Sequence, residues 1–141
     1  MNRSMTAGVF CAIVSILTCI AGCGGSGDGD PGTGGAPALV GNWQMTSMSI
    51  NSGLPFSPAV IGWNLQLQVR GDGSLGATET WAGSTEPSGG GWSVNGSQLH
   101  LTTGSYNWTG TYSANAGSFT LSNVQNYDGE GRTGSFVFSR Q

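Results

Sequence analysis

Between Trp63 and Val69 the chain reads WNLQLQV, apolar and polar residues in strict turn. A helix would scatter both sets around its circumference, because its side chains repeat every 3.6 residues. In a strand, successive side chains point to opposite faces, so Trp63, Leu65, Leu67 and Val69 share one face and Asn64, Gln66 and Gln68 the other. One face meets a core and the other meets water. The same alternation returns along the rest of the chain after Leu39, and no stretch there keeps apolar residues at helical spacing. The fold is therefore expected to be all-β.

A second feature says how the strands connect. The stretch GGWSVNGSQLHLT, from Gly90, is echoed in pattern by GTYSANAGSFTLS, from Gly110. Trp92 falls on Tyr112, Asn95 on Asn115, Leu99 on Phe119 and Leu101 on Leu121. Each copy reads as a hairpin. Asn95-Gly96 is a strong turn signal, since both residues tolerate positive φ. Pairing about that dipeptide places Val94 opposite Ser97 and Trp92 opposite Leu99. In the second copy Tyr112 would face Phe119, and Ala116 points to a longer loop that uses Gly117.

Eight strands are expected, near residues 40–49, 61–70, 74–81, 91–94, 98–103, 106–114, 118–124 and 133–140. Leu75, Ala77, Glu79 and Trp81 share one face of the third. Tyr106, Trp108, Gly110 and Tyr112 share one face of the sixth, and Gly134, Phe136, Phe138 and Arg140 one face of the last. AGSTEPSGG, 82–90, reads as a loop. Short antiparallel strands with one apolar face can split into a β-sandwich or close into a barrel. A barrel leaves no open edge, which suits a chain without lysine and with few prolines to protect one. Successive hairpins favour next-neighbour pairing. The expectation is a small eight-stranded antiparallel up-and-down barrel, with the sandwich as the alternative.

The N-terminal part has a different character. One arginine, Arg3, precedes the apolar run from Val9 to Ile20. That run is too short to cross a bilayer as a helix, which takes about twenty residues, and it suits the apolar region of an export signal. IAGC, Ile20 to Cys23, resembles the lipobox of bacterial lipoproteins. The resemblance implies cleavage before Cys23, lipidation of that cysteine with palmitate among its acyl chains, and anchoring to the outer membrane, on its periplasmic or its surface face. Residues 24–38, GGSGDGDPGTGGAPA, hold seven glycines and no large side chain, as a flexible tether would. Residues 1–22 are thus read as a lipoprotein signal peptide, 23–38 as the lipidated cysteine with its linker, and 39–141 as one β-domain. The other two cysteines, Cys11 and Cys19, fall within the signal. The mature domain is expected to fold without a disulfide.

GNW at Gly41-Asn42-Trp43 is similar to the Gly-x-Trp of lipocalins. Together with GWSVNGSQLHLT, GTYSANAGSFTLS and GSFVFSR, it gives the domain the look of the lipocalin-like barrels of bacterial envelopes. The resemblance implies that Trp43 packs under Arg140 and closes the barrel base. It also implies a small apolar or amphipathic ligand bound at one mouth. This chain departs from lipocalins in being short, in lacking a disulfide and in having only VQNYDGEGRTG where a helix precedes the last strand. A barrel this small can be filled by its own side chains.

Few residues invite chemistry. His100, the one histidine, lies between Leu99 and Leu101, so alternation turns it outward. It leaves no basis for a Ser-His-Asp arrangement, and no His/Cys cluster suggests a transition metal. The domain carries three arginines, at 70, 132 and 140, against five carboxylates. That balance argues against nucleic acid as a partner. Asp128 and Glu130 could meet a calcium ion but read better as a solvated turn beside Arg132. Arg70-Gly71-Asp72 spells an integrin tripeptide that turn chemistry alone explains. Asn95 and Asn107 head sequons that matter only in a eukaryotic secretory route.

Glu79 is the exception, a carboxylate on an apolar face. With Trp81 and Trp108 it forms the candidate ligand site, whereas Trp63 and Trp92 read as core. No catalytic residue, cofactor or metal is assigned. The leading expectation is a lipid-anchored, non-enzymatic envelope protein that binds a small hydrophobic ligand. The alternative is a filled barrel that engages an envelope protein through the loops at 51–59 and 82–90. Glycan hydrolysis by Glu79 and Glu86 is a distant third.

Overall fold

The computed structural model describes residues 37–141. The expected signal peptide, Cys23 and most of the expected linker lie outside the described residues. Eight strands run in order: β1 (Gly41–Ile50), β2 (Trp63–Val69), β3 (Ser74–Trp81), β4 (Ser84–Asn95), β5 (Gln98–Thr102), β6 (Asn107–Ala114), β7 (Ser118–Val124) and β8 (Gly134–Arg140). Every neighbour is antiparallel, and β8 pairs back onto β1, so the sheet closes as an up-and-down barrel rather than a sandwich. The Trp63–Val69 alternation is met residue by residue: its apolar members are buried and its polar members exposed.

Three local expectations need correction. The hairpin after β4 turns about Gly96-Ser97, so Asn95 pairs with Gln98, Val94 with Leu99 and Trp92 with Leu101. Only Gly96 takes a positive φ, of 58°. Parity is kept, and Trp92, Leu99 and Leu101 still face inward. In the second copy Tyr112 pairs with Leu121, and Ala114 with Phe119. The longer loop expected there is not found: this hairpin keeps the register of the first, with the Asn115 N–H donating to the Ser118 carbonyl at 2.9 Å across Ala116-Gly117, and Gly117 takes no positive φ. The Asn115 carboxamide oxygen closes the loop instead, accepting from the backbone N–H of Gly117 at 2.9 Å and of Ser118 at 2.8 Å. Finally, 82–90 is no loop. The turn is confined to Ala82-Gly83, and Ser84–Gly91 extends β4 along the whole of β3. Glycine and proline disguise that strand in the sequence.

Two bulges adjust the closure. Met45 pairs with Phe138 but Ser47 with Val137, so Thr46 is an extra residue. The extra residue reverses the alternation, and Met48 rather than Ser47 points inward. On the other side of β8 a similar shift lies between Leu121 and Val124. The first and second strands pair only over Gly41–Gln44 and then part. Phe56 fills the gap by exchanging two backbone hydrogen bonds of 2.9 Å with Met48.

The interior is occupied by aromatic rings in two tiers. Toward the base, Phe119 stacks on Phe138 with centroids 4.5 Å apart, and Trp43 meets Phe119 edge-on at 4.9 Å. Toward the other end, Trp108 stacks on Phe136 at 4.4 Å, and Trp63 meets both edge-on at 6.3 Å. Such pairs contribute about 0.5–1.5 kcal/mol each beyond the area they bury. Among the described residues no polar or charged residue is fully buried.

The base is shut. The 3-10 turn Pro37–Leu39 tucks Leu39 beneath the lower tier, and the Trp43 indole donates to the Leu39 carbonyl at 2.8 Å. Arg140 lies outside the ring of Trp43, its guanidinium carbon 4.5 Å from the ring centre. It donates to the carbonyls of Ala38, Val40 and Ala116, binding three chain segments at one point.

Candidate functional site

The opposite end of the barrel is not sealed. There the ends of β1 and β3, the start of β2 and the loops before β6 and β8 surround a cleft of about 240 Å³. Its walls are Met48, Ile50, Trp63, Trp81, Tyr106 and Tyr127, with Glu79 among them and Asp128 and Arg132 at the rim. A larger groove of about 520 Å³ runs over the outer wall near the base, past Gln66, Gln68, Arg70 and Thr78. It is a furrow of mixed polarity over the outer faces of β1 to β4, without aromatic walls of the kind at the mouth. The aromatic cleft at the mouth is the better binding site, since small-molecule sites pair apolar walls with few polar groups.

Glu79 owes its position to register. It pairs with Leu65 of β2, on the face that holds Ala77 and Leu75. No bulge interrupts β3 there, so Glu79 stays turned toward the mouth and is only partly exposed. Its Oε1 accepts a hydrogen bond of 2.7 Å from the Trp63 indole. The other buried indoles all donate to backbone carbonyls: Trp43 to Leu39, Trp92 to Arg70 and Trp108 to Tyr127. Trp63 alone is held by a charged side chain. Across the strand, Glu79 pairs in register with Glu86, which is exposed and outside the cleft walls.

Tyr106 stands against Trp108 at 4.6 Å and Trp63 at 6.3 Å. Its hydroxyl is buried and has no hydrogen-bond partner among the described residues. Burial pushes its pKa above the ordinary value of 10.0, and the neighbouring Glu79 carboxylate adds to the rise. Tyr127 is also raised, mainly by burial. At the rim, Arg132 forms ion pairs with Asp128 and Glu130, the latter at 2.7 Å. Burial opposes ionisation of Asp128, but the Glu130 backbone N–H and Arg132 outweigh it and lower its pKa. The two carboxylates are engaged by Arg132 rather than open to a cation.

Of the expected site residues, Glu79 and Trp81 line the cleft. Trp81 is 52 % exposed and meets Trp63 edge-on at 6.2 Å. Trp108 does not line it; it stacks on Phe136 within the core. Trp63, read as core, is buried and yet forms a wall. Tyr127 was not foreseen, because it sits in an irregular loop with no periodicity to place it. His100 lies on the outer face, as alternation required, between the hydroxyls of Thr109 at 2.6 Å and Thr102 at 2.9 Å. Asp72 spends its carboxylate within its own turn, accepting from the Ser74 backbone at 2.9 Å and hydroxyl at 2.6 Å. Comparison with family models, curated proteins and solved structures finds no match to this chain.

Proposed function

We propose that the protein binds a small apolar or amphipathic molecule in the cleft at the open mouth of the barrel, as a lipid-anchored component of a bacterial envelope. The observation that carries the binding role is the cleft itself, where aromatic walls surround one inward-turned carboxylate and an unpartnered hydroxyl. The filled interior limits the ligand to the mouth, so a compact molecule or one end of a longer one fits. The lipobox-like IAGC and the glycine-rich stretch after it support the anchor. The lipocalin-like pattern of GNW and the twin hairpins supports the binding role. No group in the cleft is given a catalytic task.

A neutral hydrophobic dye tests the binding role. Saturable quenching of tryptophan emission, weakened by Trp81→Ala, is expected; a linear, non-saturating response in the unaltered protein would refute it. Metabolic labelling with a palmitate analogue tests the anchor: label is expected on the protein and absent from Cys23→Ser.

A second reading rests on a separate observation. Leu54, Val60 and Ile61 are 89 %, 73 % and 44 % exposed in the segment between β1 and β2, beside the exposed Trp81. An apolar rim of this kind suits contact with an envelope protein through the loop at 51–59. Crosslinking from Leu54 that captures a discrete partner, with no ligand effect on the cleft, would favour it.

A further inference from the structure

We propose that the ligand of the mouth cleft is an organic ammonium ion, a protonated amine on a short apolar tail. This rests on the binding role proposed above and names its chemistry. Four aromatic rings, those of Trp63, Trp81, Tyr106 and Tyr127, line the cleft. Ring faces attract cations, most strongly where water is excluded.

The charges agree. Among the described residues no arginine forms an ion pair with Glu79 or Glu86, and the two stand directly opposite each other on β3 and β4. Like charges in that relation repel. The one cation at the rim, Arg132, is already held by Asp128 and Glu130. Among the described residues Glu79 thus faces the cleft without an ion-pair partner.

The hydrogen-bonding groups agree as well. Glu79 gives one oxygen to the Trp63 indole, and among the described residues its other oxygen makes no hydrogen bond of good geometry, though Tyr106 stands near it. The Tyr106 hydroxyl is buried without a partner. An ammonium group carries N–H donors and no acceptor, which matches the carboxylate oxygens and the phenol oxygen, while the phenol's own proton can turn to the nearby Glu79. An anionic ligand would meet Glu79 unscreened. A neutral alcohol would satisfy the hydrogen bonds but neither the ring faces nor the charge.

Three probes of equal chain length separate the cases: hexylammonium, hexanol and hexanoate, titrated at neutral pH and followed by tryptophan emission and by calorimetry. Hexylammonium is expected to bind about tenfold more tightly than hexanol, the equivalent of about 1.4 kcal/mol, with hexanoate weakest. Glu79→Gln, which keeps an acceptor for the Trp63 indole, should bring the ammonium-to-alcohol ratio close to one. Trp81→Leu, at an exposed position, should lower the same ratio without threatening the fold. Hexanol binding as tightly as hexylammonium would overturn the ligand class and leave the binding role standing. A preference unchanged in both variants would also overturn it, since the cation would then sit elsewhere. If neither the three probes nor a neutral dye saturates, the binding role itself falls, and the ligand class with it.

Discussion

The guanidinium of Arg140 lies over the ring of the barrel's first tryptophan, Trp43, from a residue almost one hundred positions later in the chain. One side chain joins the last strand to the turn before the first and to the loop between β6 and β7.

Arg140→Ala should lower stability by about 1–2 kcal/mol, since it removes a cation–π contact and several charge-assisted hydrogen bonds at a wet site. Arg140→Lys should recover only part, because an ammonium cannot reach three carbonyls in one plane. Urea denaturation measures both.

Gly90 lies where β4 meets the end of β5. A Cβ built there would stand 1.7 Å from the Thr102 carbonyl oxygen and 2.6 Å from its carbon. Backbone on both sides must move, so Gly90→Ala should destabilise by about 1–3 kcal/mol. Gly71 has open space around the same position. Gly71→Ala should fall within about 0.5 kcal/mol of the unaltered protein.

Tyr106→Phe should raise stability by about 1 kcal/mol in the absence of ligand, because it removes a buried hydroxyl without a partner. The hydroxyl also predicts alkaline behaviour. The fold favours its neutral form, whereas the unfolded chain releases the proton near pH 10.0. Stability should therefore fall as pH rises beyond 10, and Tyr106→Phe should flatten that fall. Denaturation at stepped alkaline pH, read beside tyrosinate absorbance, checks both.

The Asp72 carboxyl should titrate below its ordinary value of 3.8, chiefly because the Ser74 hydroxyl and backbone N–H bond to its ionised form. Its support of the turn is present above pH 3.8 and is lost as pH falls through the lower native value. Ser74→Ala should move the midpoint upward in a carboxyl NMR titration.

Much of the barrel could be read from period-two patterning, because most of its strands carry that pattern plainly. Trp63–Val69 needed nothing else. The pattern failed where an extra residue breaks it. Thr46 reverses the facing in β1, and the irregularity after Leu121 does so in β7. Both bulged strands flank β8, so the residues that govern closure were the least legible. β4 hid for another reason. Glu86, Pro87 and Gly89 have poor strand preferences, and only partnership with all of β3 makes that segment extended. The mouth was half legible. Glu79 drew notice as a carboxylate among apolar neighbours, whereas Tyr127 reaches the cleft from a loop whose course no local pattern describes.

The chain enters the described fold at Pro37, beside the plugged base, while the cleft opens at the other pole. Strands of this length separate the poles by about 20 Å. An attachment made through residues before Pro37 therefore joins the molecule at its base, at the pole away from the cleft.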